Sequence, residues 1–117
     1  MSCPFCIIDK SLYIAENAHF FAISDRFPVA KGHTLIVSKR HCKDYFELNE
    51  NEASSLNTLC RDVRQILMQQ HQALAFNLAM NCGKEAGQSV FHFHMHVIPR
   101  YEKDKPSPLQ RLRESLF

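Results

Sequence analysis

Residues 89–101 read SVFHFHMHVIPRY, with His92, His94 and His96 alternating with Phe93, Met95 and Val97. In a β-strand successive side chains point to opposite faces, so this segment puts three imidazoles on one side and three apolar groups on the other. A strand of that kind belongs in a sheet with one face packed on a core. Its second face then carries a row of histidines that something has to use, because imidazoles set into an apolar strand cost free energy when left idle.

The row has three readings from its residues alone. It is a polar strand face turned to water, or a three-histidine zinc site with an open position that activates water, or a strip whose neighbouring members share a ligand in pairs. Same-face neighbours in a strand lie about 6.5–7 Å apart, so the outer two histidines start roughly 13 Å apart. That spacing makes convergence of all three on one ion awkward and suits a strip better.

At 117 residues with 45% apolar content, the chain is expected to be a single domain spanning residues 1–117. A formal net charge of +2 is too mild to argue for a nucleic-acid groove and suits small anionic ligands. The start, MSCPFCIIDK, has no basic stretch followed by an apolar run, and no segment approaches the ~20 apolar residues that span a bilayer. We therefore expect a cytoplasmic protein with no membrane partner. Five cysteines, an odd number, argue for reduced thiols, some metal-bound, over a disulfide framework.

Along the chain, 12–24 reads as two short strands about a Glu16-Asn17 turn, and 33–39 (HTLIVSK) as a β-branched strand after a loop with Pro28 and Gly32. Asn49, with Glu52 three residues later, forms a capping-box pattern. Beyond it Ala53, Leu56, Leu59, Cys60, Val63, Ile66 and Leu67 recur at threes and fours, which predicts a long helix with one buried face. Leu74, Phe76, Leu78 and Met80 alternate, so 74–81 is read as a strand, paired antiparallel with 90–98 across the glycine-bearing turn 82–89. A short C-terminal helix is expected after Ser107-Pro108.

Three stretches carry a resemblance. HFHMHVI fits His-φ-His-φ-His-φ-φ, with φ apolar, behind the lead NCGKEAGQSV; SDRFPVAKGHTLIVSKRH runs from an aspartate through Gly-His to Arg-His; and CPFCII opens the chain. Together, from residue 3 to about 101, they resemble the histidine triad (HIT) family of nucleotide hydrolases and transferases. The resemblance implies an α+β domain: an antiparallel sheet of about five strands, one long helix, a zinc-stapled corner and a homodimer.

It also implies roles. His94, the middle histidine, maps onto the nucleophile that attacks an α-phosphorus, with His96 and His33 donating hydrogen bonds to phosphate oxygens. Gln88 and Ser89 map onto the leaving-group side, with Asn81 across the hairpin; Asp25 maps onto the ribose contact, and Phe5, Ile8 and Ile23 onto an apolar base pocket. Cys3, Cys6, His41 and His92 map onto a structural Zn2+ site. The CPFC pair also resembles a glutaredoxin-like redox motif, but such a motif follows a strand, and only two residues precede Cys3. Cys60 is read as core; Cys42 and Cys82 receive no role. The implied reaction is hydrolysis of a nucleotide substrate, first of all a diadenosine polyphosphate, with release of AMP. An adenosine phosphoramidate is the alternative substrate, and a non-catalytic, zinc-stabilised nucleotide-binding module is the competing class.

Overall fold

The computed structural model of the chain describes residues 3–102 and 104. The expected C-terminal helix lies outside them. Five strands form one antiparallel sheet: β1 (Ala15–Glu16), β2 (Phe20–Ser24), β3 (Thr34–Ser38), β4 (Ala75–Ala79) and β5 (His94–Arg100), in the order β1-β2-β3-β5-β4. A 22-residue helix, α1 (Glu50–His71), covers one face.

The helix begins where the capping box foresees. Asn49 Oδ1 accepts from Glu52 N at 2.8 Å, and Glu52 Oε1 accepts from Asn49 N at 3.0 Å. It ends at Gln72, which adopts the left-handed conformation (φ 59°) that terminates many helices. Leu56, Leu59, Val63 and Leu67 pack from α1 onto Phe20, Ala22, Ile36, Phe93, Met95 and Val97. Phe20, Phe93, Leu59 and Leu67 are among the fully buried members, and burial of each such side chain contributes about 1.5–3 kcal/mol.

The opposite sheet face carries Phe21, Ile23, Leu35 and Val37, capped by Phe5, Ile8 and Tyr13 of the N-terminal segment. Tyr13 stacks on Phe21 at 4.4 Å between ring centroids. With helix on one side and this segment on the other, β3 is buried at all five positions, hence the continuous apolar run Leu35-Ile36-Val37 at its centre.

The strands read at 33–39 and 74–81 are trimmed to 34–38 and 75–79, and two other boundaries differ in kind from the sequence expectation. Leu12 belongs to a 3-10 turn (Lys10–Leu12), not to a strand, because Asp9 Oδ1 accepts from Ser11 N and wraps the chain locally. The histidine strand begins at His94, not at residue 90; before it, Phe93 N bonds to Cys42 O and His92 turns toward the end of β3. From His94 on, alternation holds: Met95, Val97 and Pro99 are buried while His94, His96 and Ile98 are half-buried. β4 and β5 pair antiparallel as expected, with Leu78 opposite Val97 and Ala79 opposite His96.

Candidate active site and metal corner

His92 is fully buried, and its Nε2 lies 2.7 Å from the carbonyl oxygen of Ser38. A carbonyl only accepts, so Nε2 carries the proton and Nδ1 presents a lone pair. That lone pair faces Cys3 Sγ at 3.3 Å, Cys6 Sγ at 3.5 Å and His41 Nδ1 at 3.2 Å, while Cys6 Sγ lies 3.1 Å from His41 Nδ1. A tetrahedral ion with metal–nitrogen bonds of about 2.0–2.1 Å and metal–sulfur bonds of about 2.3 Å separates its ligands by roughly 3.3–3.7 Å. The four donors thus fit the corners of such a site. Cys6 also has its thiol pushed up, first by burial and then by Cys3 beside it, as expected for two sulfurs that need a cation between them.

Two residues on, His94 Nδ1 lies 2.9 Å from the carbonyl oxygen of His92. Nδ1 is therefore the protonated nitrogen, and Nε2 keeps its lone pair. His96 is wired the opposite way. Val29 N donates to His33 Nδ1 at 3.2 Å, so His33 carries its proton on Nε2, which lies 2.9 Å from His96 Nδ1. His96 Nδ1 accepts, and its proton sits on Nε2. The strip therefore presents one bare ring nitrogen on His94 and one N–H donor on His96, with ring centroids 5.5 Å apart.

Asp25 completes this group. Its Oδ1 accepts from Phe27 N at 2.8 Å and its Oδ2 lies 3.3 Å from His33 Nε2 and 3.7 Å from His96 Nδ1. Burial lowers the pKa of both His33 and His96; the neighbouring Asp25 carboxylate raises them in part, and for His96 the nearby His33 and His94 lower it further. Both rings are thereby held toward the neutral form. The sequence reading let His33 bond to phosphate directly; its Nε2 instead faces His96 and Asp25.

Phe5, Ile8 and Ile23 meet in the apolar cluster of the same face, and Phe5 lies 5.0 Å from the His94 ring. Gln88 is buried, with Oε1 accepting from Gly83 N at 2.8 Å and Nε2 donating to Lys43 O at 2.6 Å and Val90 O at 3.1 Å. Its amide braces the 83–90 loop from within. Ser89 is exposed on that loop, and Asn81 Nδ2 reaches Gly87 O at 3.4 Å. Cys60 packs at the border of the core as expected, and buried Cys42 donates to Ser38 Oγ at 3.6 Å. Sequence reasoning missed Arg40, which grips Glu52 with two hydrogen bonds of 2.8 Å next to His41 of the candidate metal corner. Twelve residues separate them, and no local pattern signals the pair.

An antiparallel sheet with one helix on its back and alternate histidines on its front defines a histidine triad domain. The HIT domain model matches residues 9–103, and the chain belongs to the HIT family. A 16.1 kDa HIT-like protein of Mycoplasma pneumoniae is 41% identical over 105 residues, covering 86% of this chain and 73% of that protein. The crystal structure of a Zn-bound histidine triad family protein from Mycobacterium smegmatis superimposes with a TM-score of 0.82 at 33% identity, covering 92% of this chain and 81% of that one. Plasmodium falciparum diadenosine triphosphate hydrolase superimposes with a TM-score of 0.78 at 31% identity, covering 92% and 74%. The adenylylsulfatase HINT3 of Arabidopsis thaliana is 36% identical over 109 residues, covering 87% of this chain and 54% of that protein. Among the described residues no helix is long and apolar enough to cross a membrane.

Proposed function

We propose that the protein hydrolyses adenylated nucleotides at the α-phosphorus in two displacements through His94, and that Cys3, Cys6, His41 and His92 hold a structural Zn2+. The observation that carries this reading is the hydrogen bond from His94 Nδ1 to His92 O, 2.9 Å long, which leaves Nε2 as a free lone pair. In the first displacement that lone pair forms a P–N bond as the bond from phosphorus to the leaving group breaks. In the second, water forms a P–O bond, the P–N bond breaks and AMP leaves. His96 Nε2–H donates to a non-bridging oxygen as charge builds there, and His33 holds His96 in the tautomer that can do so. Asp25 keeps lone pairs for the ribose hydroxyls; Phe5, Ile8 and Ile23 form the apolar ground for the base; Ser89 and Asn81 lie on the leaving-group side. Gln88 serves by bracing their loop.

The zinc reading draws on the fit of the four donors and on the Zn-bound relative. With all four positions taken by protein atoms, the ion is a staple, and the chemistry falls to the histidines. Diadenosine polyphosphates are the first substrate class, supported by the likeness to a diadenosine triphosphate hydrolase. Adenosine phosphoramidates are the alternative, since the same nitrogen attack serves an amine leaving group. A homodimer is part of the proposal: among the described residues β4 is an edge strand, with Leu74 and Leu78 exposed beside a concavity of about 430 Å3 against α1.

The deciding experiment mixes the enzyme with diadenosine triphosphate or adenosine phosphoramidate and traps the intermediate by acid-free quench and mass spectrometry. AMP joined to His94 is expected, with retention at a chiral α-phosphorothioate. Inversion, or a His94→Ala variant that keeps most of its turnover, would sink the covalent mechanism. That variant should still bind AMP, since the missing group acts in the transition state.

A further inference from the structure

The metal corner and the reactive strip meet at two points. The first is Phe5, which sits between the donors Cys3 and Cys6 in a turn closed by the bond from Cys6 N to Cys3 O at 3.1 Å. Its ring lies 5.0 Å from that of His94, tilted by 60°, and 5.8 Å from that of His92, edge-on at 80°. Such separations and angles are those of packed aromatic pairs, which hold each other's planes. The second is His92 itself. One ring nitrogen is a metal donor, the other is tied to Ser38 O at 2.7 Å, and its carbonyl takes the His94 Nδ1 proton.

We propose that the Cys3–Cys6 knuckle is a positioning device for the nucleophile, in which Phe5 fixes the ring plane of His94, whose tautomer His92 O already sets, so that filling the corner with metal readies His94 for attack. This rests on the reading of His94 as nucleophile. Phe5 is a positioning residue here, in addition to its place in the base pocket. The physical reason is the thinness of what otherwise holds it. Residues 3–8 form no strand or α-helix, Cys6 and Ile7 are exposed, and the segment's hold on the sheet comes from Phe5 and Ile8 packing and from the two sulfurs. If the sulfurs lose their common partner, the Phe5 ring is free to leave His94, and the imidazole regains rotation about its own axis. Misplacement of a reacting atom by about 1 Å can cost on the order of 100-fold in rate.

The test reads the ring nitrogens of His94 by 15N NMR in the zinc-loaded protein, in Cys6→Ser and in Phe5→Ala, alongside metal analysis and turnover of diadenosine triphosphate. Loaded wild type should show one tautomer, protonated at Nδ1. Cys6→Ser should lose the zinc and broaden the His94 ring signals. Phe5→Ala should keep a full equivalent of zinc and the Nδ1-protonated tautomer that His92 O sets, broaden the His94 ring signals as the ring plane loosens, and lose kcat by roughly 10- to 100-fold, beyond any rise in KM from the base pocket. Phe5→Leu keeps apolar bulk without the ring, and reads the same positioning effect should Phe5→Ala fail to fold. Unaltered His94 ring signals in zinc-free Cys6→Ser, or unchanged kcat in zinc-loaded Phe5→Leu, overturns the proposal. His94→Ala in parallel separates the two levels: retained turnover there removes the nucleophile itself, whatever the Phe5 variants show.

Discussion

Arg40 donates to Glu52 twice, from Nε to Oε2 and from Nη2 to Oε1, each bond 2.8 Å long. The same carboxylate accepts from Asn49 N at 3.0 Å, so one buried side chain joins the start of α1 to the segment that follows β3. The next residue after Arg40 is His41, a donor of the proposed metal corner.

Glu52 therefore contributes stability with a definite pH signature. The Arg40 hydrogen bonds are the main cause that holds its carboxyl down at about 2, against an ordinary 4.5. A depressed carboxyl contributes fully above its unfolded value and is lost as pH falls through the folded one. Urea unfolding of wild type should thus weaken from about pH 4.5 toward pH 2. Glu52→Gln should lower stability by about 1.5–3 kcal/mol at neutral pH and flatten that part of the profile.

The buried His33 and the half-buried His96 act at higher pH. Burial lowers the pKa of His33 and His96, so the folded state binds fewer protons than the unfolded chain. Stability should be full above about pH 6.5 and fall as the pH drops through the depressed values. Thermal unfolding between pH 8 and pH 5 checks this, and His33→Gln should show a shallower slope.

Metal analysis tests the corner. Cys3→Ser or His41→Ala should each lose about one equivalent of zinc and unfold at lower temperature, because binding energy at a structural site is folding energy. A wild type purified without chelator and carrying no zinc would remove the site.

Gly32 and Gly83 make a matched pair of backbone tests. Both have positive φ, 86° and 104°, but a Cβ on Gly32 would lie 2.8 Å from His71 Cδ2 and 3.3 Å from Pro99 Cγ, whereas one on Gly83 meets nothing within 4 Å. Gly32→Ala should cost about 1–3 kcal/mol from strain plus overpacking, and Gly83→Ala less. Since Gly32 directly precedes His33, the first variant should also lose turnover.

The proposed dimer predicts a solution mass near twice 13.6 kDa by light scattering. Leu78→Asp, on the exposed edge strand, should shift the mass to the monomer value.

Much of this molecule is legible in the chain before it folds. Period-two alternation in 94–100, the Asn49/Glu52 capping box and the threes-and-fours of Leu56, Leu59, Val63 and Leu67 are local signals, set by side-chain geometry within a few residues. They specify a sheet, a helix and the faces each must bury, and the family motifs pick out the polar residues of the candidate site. Direction and protonation at the site are another matter. Which nitrogen of His94 is bare depends on His92 O; which nitrogen of His96 holds a proton depends on Val29 N acting through His33; and Cys3 reaches His92 across 89 positions of chain. Hydrogen bonds and ligand geometry act over about 3 Å of space regardless of separation in sequence, so these relations come into being only when the sheet and its N-terminal cover close on each other.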